Sequence, residues 1–141
     1  MTKEEELSQY MSQIEYYKEQ ITSLETQQSY VQAAINDYSR ARLTIEHLEK
    51  SENTTDVLLP IGGSTYIDAK TNNTSKVLFD IGSGLVIEKK TDDAIKKIDN
   101  RIKDLEKNQE KIQQIIQQVQ NDANEITVKA QKLYSEIQQG K

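Results

Sequence analysis

The chain has 141 residues, of which 35% are hydrophobic and 29% charged, and its net charge is −5. The apolar share lies below the ~45–50% of ordinary globular domains, which favours an elongated protein or a subunit of something larger. With no cysteine and a single histidine, His47, the chain has no disulfide scaffold, no thiolate chemistry and no histidine-rich metal site.

Other classes fall on similar grounds. No apolar run approaches the ~18 residues of a membrane span. The start, Met1-Thr2-Lys3-Glu4-Glu5-Glu6, is acidic and does not read as a secretory signal. The negative charge argues against a general binder of nucleic acid or anionic membrane. A soluble, cytoplasmic protein without cofactor is the expectation. No convergent set of acids suggests an enzyme. Gly82-Ser83-Gly84 lacks the Lys and Ser/Thr that a phosphate loop needs after its glycines.

Glycine and proline divide the chain. Pro60, Gly62, Gly63, Gly82 and Gly84 lie in the middle and Gly140 near the end. Three parts follow: a helix over 1–50 with net charge −4, a middle segment over 51–90 with −1, and a helix over 91–141 with zero. Together they are expected to form one structural unit.

Within 1–50, steps of three and four residues from Leu7 reach Tyr10, Ile14, Tyr17, Ile21, Leu24, Gln28, Val31, Ile35, Tyr38, Arg42 and Ile45. Ten of these twelve positions are apolar or aromatic, which is the seam of a coiled coil. Such a helix would run roughly 70 Å at ~1.5 Å per residue.

The middle segment changes period. Leu58-Leu59-Pro60-Ile61-Gly62-Gly63 is echoed twenty residues later by Leu78-Phe79-Asp80-Ile81-Gly82-Ser83. Each half reads strand, glycine turn, strand, hence two β-hairpins joined by the polar link Thr71-Asn72-Asn73-Thr74-Ser75. The glycines are adjacent in the first turn and separated by one residue in the second. Pro60 predicts an edge strand or a bulge. Alternation places Val57, Leu59, Ile61, Ile67, Ala69, Val77, Phe79, Ile81, Leu85 and Ile87 on one face. Four short strands cannot bury such a face alone, so several copies, or copies with a related chain, are expected to close a barrel-like body.

The last part repeats the seam pattern. Ile95, Ile98, Ile102, Leu105, Gln109, Ile112, Ile116, Val119, Ala123, Ile126, Ala130, Leu133 and Ile137 are apolar at twelve of thirteen positions. Thr91-Asp92-Asp93 offers a helix start. The expected fold is α+β: a long antiparallel coiled-coil hairpin with two β-hairpins between its helices, oligomerising into a β-barrel platform. Its register sets Leu7 near Ile137, Leu24 near Val119 and Ile45 near Ile98. Gln28 and Gln109 interrupt the seam and are expected to fix that register.

This arrangement resembles the α class of prefoldin, in its archaeal form, over nearly the whole chain. The most specific part is Leu58-Leu59-Pro60-Ile61-Gly62-Gly63 followed by Val77-Leu78-Phe79-Asp80-Ile81-Gly82-Ser83-Gly84. The α class carries two hairpins and the β class one. The resemblance implies an ATP-independent chaperone of two α and four β subunits. In it a double barrel carries six coiled coils, whose ends hold non-native proteins and pass them to a group II chaperonin. Partners would then be a prefoldin β subunit, unfolded clients and the chaperonin.

Residues at the free ends would do that work. Met11, Tyr16, Val128 and Tyr134 lie off the seam in the outer part, with Leu7, Tyr10, Ile14, Ala130, Leu133 and Ile137 at the seam's end. Apolar burial of client segments is worth about 25 cal/mol per Å², and several arms on one platform add avidity. Tyr30 and Ile115 are further off-seam residues, and Leu43 and Leu48 are expected to pack near the sheet. Two alternatives remain: a self-assembling, filament-forming relative, and a structural coiled-coil linker without chaperone activity.

Overall fold

The structure, a computed structural model, describes residues 1–51, 54–72 and 75–140. The order is α1 (Lys3–Glu49), β1 (Asp56–Gly62), β2 (Thr65–Lys70), β3 (Lys76–Asp80), β4 (Val86–Lys90) and α2 (Thr91–Gln139). Two long helices with two antiparallel β-hairpins between them is the α+β fold expected from the sequence. Of the polar link, Asn73 and Thr74 lie outside the described residues.

The first helix starts on a reciprocal cap. The Glu5 amide donates to Thr2 Oγ1 at 3.1 Å, and the Thr2 amide donates to Glu5 Oε2 at 3.0 Å. Two of the four orphan amides of a helix start are so served, worth about 1 kcal/mol. The second helix opens at Thr91, which is buried, with Asp92 and Asp93 in its first turn.

Every expected seam position on both helices is buried or half-buried. The chain divides into two compact units, 1–33 with 106–141 and 34–105. In the first, Lys3 Nζ lies 3.5 Å from Glu136 Oε2. Leu24 and Val119 line one groove there, as the expected register requires. The seam glutamines meet partners just off the seam. Gln28 Nε2 donates to Gln113 Oε1 at 2.7 Å, and Gln109 Nε2 donates to Gln32 Oε1 at 3.1 Å.

In the second unit the core is Ile45, Ala94 and Ile98, backed by Tyr38, Val77, Phe79, Ile95 and Ile102. Ile45 thus meets Ile98 as expected. Arg42, the charged seam residue, directs Nε at Asp99 Oδ1 (2.5 Å) and Nη2 at Asp99 Oδ2 (3.3 Å), and also contacts Glu46. Leu48 lines a groove with Val77, Leu78 and Phe79, but Leu43 points to solvent. The expectation that Leu43 packs near the sheet is therefore corrected: it sits one residue past the seam position Arg42 and is about half exposed.

The strands form two separate two-stranded sheets, β1–β2 and β3–β4. Val57 pairs with Ala69 and Leu59 with Ile67; Val77 pairs with Lys89 and Phe79 with Ile87. The register slips between Pro60 and Gly62, the bulge that the proline foretold. Despite their different glycine spacing, the turns have one backbone. Gly62, Gly63 and Ser64 have φ of 102°, 56° and 57°; Gly82, Ser83 and Gly84 have 111°, 54° and 75°. Two central residues in the left-handed region make a type I′ turn, whose twist suits a hairpin. The repeat extends to the hairpin bases, where the Thr71 amide donates to the Thr55 carbonyl and the Thr91 amide to the Ser75 carbonyl, both at 3.0 Å.

Candidate functional site

The two hairpins differ in their cover. Val77 and Phe79 of β3 pack on the helix core, and Lys97 Nζ stands 5.4 Å from the Phe79 ring centroid. Lys97 therefore caps an aromatic face. In the first hairpin Leu59, Ile61 and Ile67 remain about half exposed. Ile81 and Leu85 at the second turn are exposed as well.

Directly paired residues of an antiparallel ladder share a face. The expected face holds Val57, Leu59, Ile67 and Ala69 in one hairpin, and Val77, Phe79 and Ile87 in the other. The opposite face carries Leu58, Pro60 and Tyr66 in the first hairpin, and Leu78 and Val86 in the second. Leu58 is 65% exposed and Leu78 is 74% exposed. Alternation alone missed this second face. The signal was the unbroken run Val57-Leu58-Leu59-Pro60-Ile61, which marks a strand covered on both sides.

The other surface lies in the unit that holds both helix ends. Met11, Tyr16, Val128 and Tyr134 are each more than half exposed. Leu7, Tyr10, Ile14 and Ile137 are half-buried in the seam, and Ala130 and Leu133 are buried in it. The open surface is thus the off-seam set. The Tyr10 hydroxyl donates to Glu6 Oε1 at 2.9 Å. That hydrogen bond to a carboxylate holds the Tyr10 pKa above the ordinary phenol value.

Two charge clusters lie between the helices in the hairpin-bearing unit, one attractive and one of like charge. The Arg42 hydrogen bonds hold Asp99 below the usual carboxylate range. Where α1 ends, Glu49 shares a hydrogen bond with Asp92, which pushes its pKa up, while a bond from Thr91 opposes the rise. Among the described residues no three His, Cys, Asp or Glu side chains converge as metal ligands. Likewise no helix is long and apolar enough to cross a membrane.

Two long antiparallel helices joined through paired β-hairpins define a class of coiled-coil hairpin proteins. Within it, the chain belongs to the prefoldin family, whose prefoldin subunit model matches residues 17–136. It is 30% identical over 128 residues to the prefoldin subunit alpha of Archaeoglobus fulgidus, covering 89% of this chain and 92% of that relative. The fold matches a chain of the filamentous PFD from Methanocaldococcus jannaschii, solved by cryo-EM, with a TM-score of 0.72 and 21% identity. That match covers 84% of this chain and 98% of the other. The crystal structure of the prefoldin beta subunit from Thermococcus strain KS-1 matches with a TM-score of 0.59, 16% identity and 90% of each chain.

Proposed function

We propose that the chain is the α subunit of a cytoplasmic, ATP-independent chaperone. It captures non-native proteins on the exposed apolar residues of its terminal unit and passes them to a group II chaperonin. The supporting observation is the open set Met11, Tyr16, Val128 and Tyr134 beside the helix ends. Met is pliable and Tyr amphipathic, which suits clients without a shared sequence. The two-faced hairpins, with Val57, Leu59, Ile61, Ile67, Ala69, Val77, Phe79, Ile81, Leu85 and Ile87 turned inward, build the platform with β subunits, two α to four β. Bringing several weak arms together is what makes capture effective.

Native mass of the chain alone and mixed with a β-class chain tests the assembly, with a defined α₂β₄ species expected only in the mixture. Suppression of aggregation of an unfolded protein tests capture. Met11→Ser with Tyr134→Ser should weaken it severalfold, and full suppression by this variant would overturn the tip assignment. The second reading is self-assembly, favoured by the fold match to a filamentous PFD. A large homo-oligomer that excludes the β chain would select it. A linker without chaperone activity would suppress no aggregation at all.

A further inference from the structure

The two hairpins echo each other, but their outer edges differ at one backbone group. In an antiparallel pair, opposed residues alternate between those that exchange both hydrogen bonds and those whose N–H and C=O point outward. The Thr71 amide donates to the Thr55 carbonyl, so these two are a bonded pair. Counted along the register, Val57 with Ala69 and Leu59 with Ile67 are bonded too. Asp56 with Lys70, Leu58 with Asp68 and Pro60 with Tyr66 therefore turn their backbone groups outward. The second hairpin runs in the same phase. There the Thr91 amide donates to the Ser75 carbonyl and the Ile81 amide to the Leu85 carbonyl, which turns Lys76, Leu78 and Asp80 of β3 outward.

Pro60 has no N–H to turn outward. The outer edge of β1 thus offers amides at Asp56 and Leu58 and then stops short of the turn, and the bulge that follows Pro60 bends the strand. Across the hairpin, the edge of β2 offers amides at Lys70, Asp68 and Tyr66, right up to the turn. In β3, Asp80 holds the place of Pro60 and keeps its amide, and the ladder there has no register shift. Each sheet has two strands, so among the described residues no third strand occupies any of these edges.

We infer that Pro60 sets a stagger: a neighbouring subunit's strand pairs fully along β1 only from the hairpin base to Leu58, while one on β2 runs on to Tyr66. The inference rests on the platform reading above and adds the residue that decides how the platform ends. The two neighbours are offset by two residues, roughly 7 Å along the strands. A sheet closes into a barrel only when its strands are staggered, whereas an open, full-length edge can go on adding strands. Pro60 therefore selects a closed body over open growth. The occupant is another hairpin strand, because the edge offers backbone donors and acceptors. The faces beside it are apolar on both sides, with Leu59 and Ile67 on one and Leu58 and Tyr66 on the other, which suits a neighbour that is itself part of a sheet.

Pro60→Val and Pro60→Ala each restore the missing donor. Neither breaks a bond within the hairpin, because the nitrogen at this position points outward. Hydrogen exchange of the Leu59 and Ile67 amides, which point into the ladder, reports that the hairpin is kept. Sedimentation of each full-length chain, alone and mixed with a β-class chain, is followed over a range of concentrations. The unmodified mixture should reach one mass and stay there. Both variants should form larger species that grow with concentration, associating about fivefold more tightly through one added hydrogen bond. The amide gained at position 60 should exchange slowly in those species. Variants that stop at the same single mass as the unmodified mixture overturn the inference but leave the platform reading standing. Growth with Pro60→Val but not with Pro60→Ala also overturns it, since apolar bulk and not the amide would then be responsible. Failure of the unmodified chain to form any common species with the β-class chain overturns the platform reading and this inference together.

Discussion

Replacing Ile98 by alanine tests how the second hairpin is held. Ile98 is 2% exposed and sits between Ile45 and Ala94, with Val77 and Phe79 packed against the same cluster. The change removes three carbons at about 0.8 kcal/mol each and leaves a cavity that the helices can only partly close. A loss of about 3 kcal/mol follows, or roughly a 10 °C fall in melting temperature for a chain of this size. Thermal unfolding followed by circular dichroism, at one fixed protein concentration, reads the total. Hydrogen exchange reads the location: amides of β3 and β4 should lose protection more than those of β1 and β2. Leu58→Ala, at an exposed site, should cost less than about 0.5 kcal/mol in the unassembled chain. A cost below about 1 kcal/mol for Ile98→Ala, or equal loosening of both hairpins, would refute the packing scheme.

The turns make a matched pair of predictions. Ser64→Gly and Ser83→Gly should each stabilise by about 0.5–1 kcal/mol in thermal melts, because both serines hold positive φ. Gly62→Ala should destabilise by about 1 kcal/mol through backbone strain alone, since a Cβ there meets nothing within 4 Å. Glu49→Gln should raise stability at neutral pH. The Glu49 pKa is raised in the fold by Asp92, so stability is lost as pH rises through it and the glutamine removes that loss. Asp99 behaves oppositely: its depressed pKa gives stability above the unfolded value that disappears as pH falls through the folded one. Asp99→Asn should therefore flatten the acid limb of a stability–pH curve measured by denaturant titration.

Much of this fold was legible because two periods announce it. A 3/4 spacing marks each seam, and all 25 seam positions are at least half-buried. Alternation and glycine turns mark the hairpins. What escaped lies where a second residue decides the outcome. Gln28 and Gln109 look like isolated seam defects, yet each is matched by an off-seam amide, Gln113 or Gln32. Arg42 breaks the seam pattern because Asp99 waits across the interface. The cap Thr2-Lys3-Glu4-Glu5 was readable from its spacing but hidden in a run of acids. Glycine spacing differs between the two turns and left their geometry open, yet φ depends on the position and not on which of its two centres carries the glycine. For the candidate surfaces, residue type alone could not separate Met11 and Tyr134, which are open, from Ala130 and Leu133, which the partner helix covers.

The apolar faces of the hairpins also bear on how the cell must manage this chain. Leu58, Tyr66, Leu78 and Val86 lie open on one side, with Leu59 and Ile67 half open on the other. On the proposed assembly, a copy made in excess of its partners displays the same greasy signature that marks a damaged protein. It is then both a rescuer and a patient. Supply of the two subunit types must be balanced, and orphan copies should be short-lived. Pulse-chase labelling with and without the β chain measures this. Equal lifetimes in both conditions would mean that the hairpins need no cover in the cell.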